Sequence, residues 1–72
     1  MTAEADDIEF IRLPEVKRLT GLSTATIYRM AKVGEFPRQV KLGAQAVAWV
    51  KSEVLAWSRE KIKAARMSHE KS

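Results

Sequence analysis

The stretch that decides the fold is L-P-E-V-K-R-L-T-G-L-S-T-A-T-I-Y-R-M-A-K-V-G, residues 13–34. Pro14 has no amide hydrogen and a fixed φ, which suits the first turn of a helix, where amides are unpaired anyway. A first helix therefore begins at Pro14. Val16 and Leu19 lie three residues apart on one face, with Leu13 just upstream, while Glu15, Lys17 and Arg18 face water. Gly21 ends this helix, because glycine readily takes the left-handed conformation that closes free carbonyls, and Leu22 turns into the core at the corner. Ser23 is then an N-cap, its hydroxyl accepting from the amide of Ala25 or Thr26, so a second helix starts at Thr24. Along that helix Ile27, Met30 and Ala31 share one face, and Ala25, Tyr28, Arg29 and Lys32 lie opposite, flanked by Thr24 and Thr26. Gly34 ends it.

Two short helices hinged at Gly21-Leu22 form the helix-turn-helix pattern, whose second helix commonly enters the major groove of DNA. Hydroxyls and an arginine on the outer face of such a helix suit base edges and phosphates, since free amides and the helix dipole at its start also attract the phosphate backbone. The competing reading of Tyr28 and Arg29 is an ordinary solvated face.

Downstream, Phe36-Pro37 breaks helicity, because the residue before a proline is pushed toward extended geometry. Gln39-Val40-Lys41-Leu42 alternates polar and apolar, Gly43-Ala44 supplies a turn, and Ala46-Val47-Ala48-Trp49-Val50 has strand composition with Trp49 as a large anchor. This predicts a small β-hairpin, or wing, with Arg38, Lys41 and Gln45 at its base, strand and tip, within reach of phosphates or a minor groove. Ordinary surface charge on a buried hairpin is the other reading. A third helix is expected from Ser52, a second N-cap, with Glu53 in its first turn and Val54 and Trp57 inward. Its apolar seam thins after Trp57. The expected class is mainly α with a small β-hairpin, a winged helix-turn-helix of three helices plus wing.

The expected organisation is an acidic leader over residues 1–8, one domain over 9–66 and a disordered tail over 67–72. Ile8, Phe10 and Ile11 are expected to add a short segment to the core. At 72 residues the core is near the lower limit for independent folding. The net charge of +4 is unevenly spread, with five bases and one acid in residues 23–51 against three bases and five acids in residues 1–22. Positive charge on a reading element is what attraction to phosphate requires.

Enzyme chemistry is excluded on inventory. Cysteine is absent, the single histidine is His69 near the end of the chain, and Ser23 and Ser52 are explained as caps. Glu53 and Glu60 are surface acids seven residues apart, and no glycine-rich phosphate loop is present. No cofactor and no metal are expected. No segment is long and apolar enough to span a bilayer and no secretion leader is visible, so a cytoplasmic, nucleoid-associated location without membrane contact is expected.

The motifs R-L-P-E-V, T-G-L-S-x-x-T-I-Y-R, G-E-F-P-R-Q-V-K-L-G, A-V-A-W and S-E-V-L-A-W, spanning residues 12–57, resemble those of the AlpA family of prophage regulatory proteins. The resemblance implies a winged helix related to excisionases and MerR-type DNA-binding domains, with residues 23–32 forming the recognition helix. It also implies a role in controlling transcription or recombination of an integrated element. Where this chain has Thr24 the family often has arginine, and near Gln45 it often has a basic residue. Expected DNA contacts are therefore Ser23, Thr24, Thr26, Tyr28, Arg29, Lys32, Arg38, Lys41 and Gln45, with most weight on Thr26, Tyr28, Arg29, Arg38 and Lys41. Double-stranded DNA is the expected partner, with further copies on adjacent sites and an integrase as additional ones. The alternatives are an excisionase that bends attachment-site DNA, and a winged-helix adaptor that binds protein instead.

Overall fold

A computed structural model describes the backbone of residues 8–71 and the side chains of residues 8–68. Apart from Ile8, the expected leader lies outside the described residues, as does the side chain of His69. The elements are β1 (Phe10–Ile11), α1 (Leu13–Thr20), α2 (Thr24–Lys32), β2 (Val40–Lys41), β3 (Val47–Val50) and α3 (Lys51–Lys71). Three helices and a small antiparallel sheet make a mainly helical winged helix-turn-helix.

The turn between α1 and α2 is built as its residues dictate. Gly21 sits at φ 76° and its amide donates to the Lys17 carbonyl at 2.7 Å. Thr20 adds a second tie, donating its hydroxyl to the Val16 carbonyl at 2.8 Å and accepting from the Leu22 amide at 3.2 Å. Ser23 then caps α2, accepting from the Thr26 amide at 3.2 Å. At the other end of α2, the Gly34 amide bonds the Ala31 carbonyl and the Glu35 amide bonds that of Met30, with Gly34 at φ 82°. This pair of bonds is the Schellman closure, which needs the left-handed residue glycine supplies.

The sheet has order β1-β3-β2, both pairings antiparallel, with Ile11 opposite Trp49 and Lys41 opposite Val47. The wing is therefore a three-stranded sheet rather than a lone hairpin. β1 joins it as an unforeseen strand, its two residues being too short for any periodicity to show. Of the three apolar residues expected to enter the core there, only Ile11 does; Ile8 and Phe10 are 61% and 45% exposed. Alternation explains this, since Phe10 points to the sheet face opposite that of Ile11.

Around Trp49, Ile27, Val16 and Val54, all fully buried, the core also takes in Ile11, Ala31 and Phe36, with Leu13, Leu19, Leu22, Met30 and Trp57 packed against it. Phe36, read from sequence only as a helix breaker, is buried and meets the Trp57 ring edge-on at 4.7 Å between centroids.

Helix α3 starts at Lys51 rather than at a Ser52 cap. Val50 is still paired with Phe10, and the Lys51 amide donates to the Glu9 carbonyl at 2.8 Å, so the strand passes into the helix without a loop. That bond satisfies one of the amides that the first turn of a helix leaves unpaired. The helix continues past Trp57 with every described side chain from Arg59 to Ser68 exposed. No helix among the described residues is long and apolar enough to cross a membrane.

Candidate nucleic-acid interface

Helix α2 buries Ile27 and Ala31 and leaves Ala25, Tyr28, Arg29 and Lys32 on the outside, as its periodicity requires. Tyr28 is the least free of these, at 37% exposed, because its ring stands edge-on to Trp49 with centroids 5.8 Å apart. The contact places the Tyr28 ring between helix and sheet. Thr24 and Thr26 are half-buried on the flanks.

Ser23 and Thr26 are engaged with each other. The Ser23 hydroxyl donates to Thr26 Oγ1 at 3.0 Å and accepts from the Thr26 amide, so Ser23 is spent on the cap. Thr26 keeps its hydroxyl proton, which can still be donated outward.

Between α2 and the wing lies an open groove of about 610 Å³ lined by Tyr28, Lys32, Arg38, Gln39, Lys41 and Val47, with Ala31 at its floor. Sheet register explains the wing side: Lys41 and Val47 are paired residues and share one face. Three cations and no carboxylate line the groove, so its field favours an anion. Arg38 is partly committed, donating from its guanidinium to the Lys32 carbonyl at 3.3 Å. A cation there also complements the negative end of the helix dipole.

Four of the nine expected residues, Tyr28, Lys32, Arg38 and Lys41, thus come together in the groove. Ser23, Thr24 and Thr26 lie at the opposite end of α2, and Arg29 is exposed on the helix without lining the groove. Gln45 is exposed in the turn between β2 and β3, away from it. Gln39 was missed. Its polar-apolar alternation with Val40 was visible, but which face it would take depended on the strand pairing. One base counted toward this surface belongs elsewhere: Lys51 Nζ lies 3.8 Å from Glu9 Oε1, at the junction of β1 with α3.

The indoles hold the connection between α2 and the wing. Trp49 Nε1 donates to the Pro37 carbonyl at 3.1 Å and Trp57 Nε1 to the Glu35 carbonyl at 2.8 Å. Both ties fasten the segment that joins α2 to the wing onto the core indoles.

Fold and surface define a winged helix-turn-helix with a cationic groove beside its second helix. The chain belongs to the AlpA family: the model of that family, described as prophage CP4-57 regulatory protein (AlpA), matches residues 9–62. An uncharacterized protein, ORF88, of Enterobacteria phage P4 is 55% identical over 53 residues, covering 74% of this chain and 60% of the phage protein. The DNA-binding transcriptional activator AlpA of Escherichia coli (strain K12) is 31% identical over 62 residues, covering 78% of this chain and 89% of that protein. No solved structure matches.

Proposed function

We propose that the chain is a sequence-specific double-stranded-DNA-binding regulator of transcription for a prophage or integrated mobile element. In this reading α2 enters the major groove, with Thr24, Thr26 and Arg29 toward base edges and Ser23 at the helix start, beside a phosphate. Tyr28, Lys32, Arg38 and Lys41 receive the backbone where it passes between helix and wing, and Gln45 lies on the backbone or in the minor groove beyond. The observation that carries this is the acid-free groove between α2 and β2, lined by three cations and continuous with the exposed face of the second helix. Support comes also from the family and from the Escherichia coli relative, a DNA-binding transcriptional activator. A cytoplasmic site of action follows from that partner.

The test is in-vitro selection from a random duplex library, followed by fluorescence anisotropy on the selected duplex. A recovered consensus, with affinity falling about fortyfold between 50 and 200 mM salt for three neutralised phosphates, is the expected result. Arg29→Ala should relax the preference at one position and cost about 1–3 kcal/mol, whereas Lys41→Ala should weaken all sequences alike and lower the salt slope by about one. Binding that keeps its strength in both variants, or no recovered consensus, contradicts the proposal.

A further inference from the structure

We infer that the outer face of the distal half of α3 is a docking surface for an acidic amphipathic helix of another protein. Arg59, Ile62, Lys63, Arg66 and Met67 fall at i, i+3, i+4, i+7 and i+8, so they form one stripe along about 12 Å of helix. They line an open groove of about 350 Å³. Val54 and Trp57, which attach α3 to the core, project from the opposite side, and Lys61 stays on that inner side with its ammonium 5.8 Å from the Trp57 ring centre. The stripe therefore points away from the α2–wing connection that Trp57 grips.

Its chemistry selects the occupant. The three cations form no ion pair with any described carboxylate; Glu60 sits at the edge of the stripe, and Glu70, four residues beyond Arg66, continues the row past the described side chains. Ile62 and Met67 remain 49% and 56% exposed between them. A phosphate backbone needs the cations but gains nothing from two exposed apolar side chains. A second copy would set three cations against three. An amphipathic helix with leucines on one stripe and glutamates beside it satisfies both halves, since methionine adapts to varied apolar partners and the lysine and arginine stems extend the apolar wall. The surface is separate from the α2–wing groove, so it stands or falls independently of DNA binding.

The test uses the full ¹⁵N-labelled chain, titrated separately with four probes. These are a synthetic helical peptide carrying leucine and glutamate at i, i+3, i+4 and i+7 spacing, the same peptide scrambled, a 20-base-pair duplex, and phosphatidylserine-containing vesicles. Expected are saturable shifts centred on residues 59–67 with the amphipathic peptide alone, weakened about tenfold by either Ile62→Ser or Lys63→Gln. Stronger shifts of these resonances with duplex or vesicles, equal response to the scrambled peptide, or no response overturns the inference. So does a change at residues 59–67 on deleting residues 1–7 in the absence of any probe, which would make the chain's own acidic start the occupant.

Discussion

Trp57 Nε1 donates to the main-chain oxygen of Glu35 at 2.8 Å, joining residues 22 apart in the sequence. Through that bond the third helix holds the last turn of the second, because Glu35 itself closes α2 by donating to Met30. The wing begins a few residues later, past the Pro37 carbonyl that Trp49 grips in the same way. One side chain therefore couples the longest helix to the relative placement of α2 and wing.

Replacing Trp57 by phenylalanine keeps an aromatic ring against Phe36 while removing the donor and trimming the ring. The cost should be about 1–2 kcal/mol, one hydrogen bond plus the lost ring contacts, and Trp57→Ala should cost about 3–5 kcal/mol, less whatever the half-exposed site recovers. Urea denaturation of both variants reads the difference. Equal losses would mean that the hydrogen bond, and not the ring, carries the contact.

Glycine matters at one turn and not at another. A Cβ on Gly21 would meet no atom within 4 Å, so the penalty of Gly21→Ala is that of its φ of 76° alone, about 1–2 kcal/mol. Gly43 has equal space and no positive φ, so Gly43→Ala should be neutral or stabilising by up to about 1 kcal/mol. Thermal melts of the two variants should move in opposite directions or differ by several degrees, about 4–8 °C per kcal/mol for a domain of this size.

Much of this was legible in the sequence because it is local. Pro14, Gly21, Ser23 and Gly34 each act within one turn of their own position, so the bounds of α1 and α2 follow from residue type. The outer face of α2 follows from period alone. What stayed hidden depends on distant partners. Phe36 enters the core only because Trp57 is there to receive it, and Ile11 only because β1 finds β3. The start of α3 moved to Lys51 because Glu9, 42 residues earlier, supplies the carbonyl for its amide. The groove needed both α2 and the strand register, which is why Gln39 escaped notice while Lys41, read as a wing cation, did not.

Ser23 separates stability from binding. Ser23→Ala should cost about 1 kcal/mol through the lost cap. Ser23→Asp keeps a capping oxygen and favours the helix dipole, so it should preserve the urea midpoint. In the proposed complex that carboxylate faces phosphate, and DNA affinity should fall while the fold stays intact. An aspartate variant that binds duplex as well as the parent would place the start of α2 away from the nucleic acid.

The Arg18 guanidinium donates to both carboxylate oxygens of Glu15, one turn earlier on α1, with Nε at 3.0 Å from Oε1. This hydrogen bond, aided by the charge of Arg18, holds the Glu15 carboxyl below the usual carboxylate value. A depressed folded value means that its contribution is present above the unfolded pKa and is lost as pH falls through the folded one. Carbon-detected titration should show Glu15 titrating below the usual glutamate value, and Arg18→Gln should return it toward that value. A Glu15 that titrates at the usual glutamate value in the parent protein would show the pair to be open in solution.

The central claim is that one face, the outside of α2 together with the groove beside β2, receives a duplex. The direct measurement is a ¹H–¹⁵N shift map of the full chain with its selected duplex at two salt concentrations. The account predicts the largest shifts at residues 23–32 and 38–45, shrinking at the higher salt. Shifts concentrated on α1 or β1, with the amides of Arg29, Lys32 and Lys41 unmoved, would contradict it.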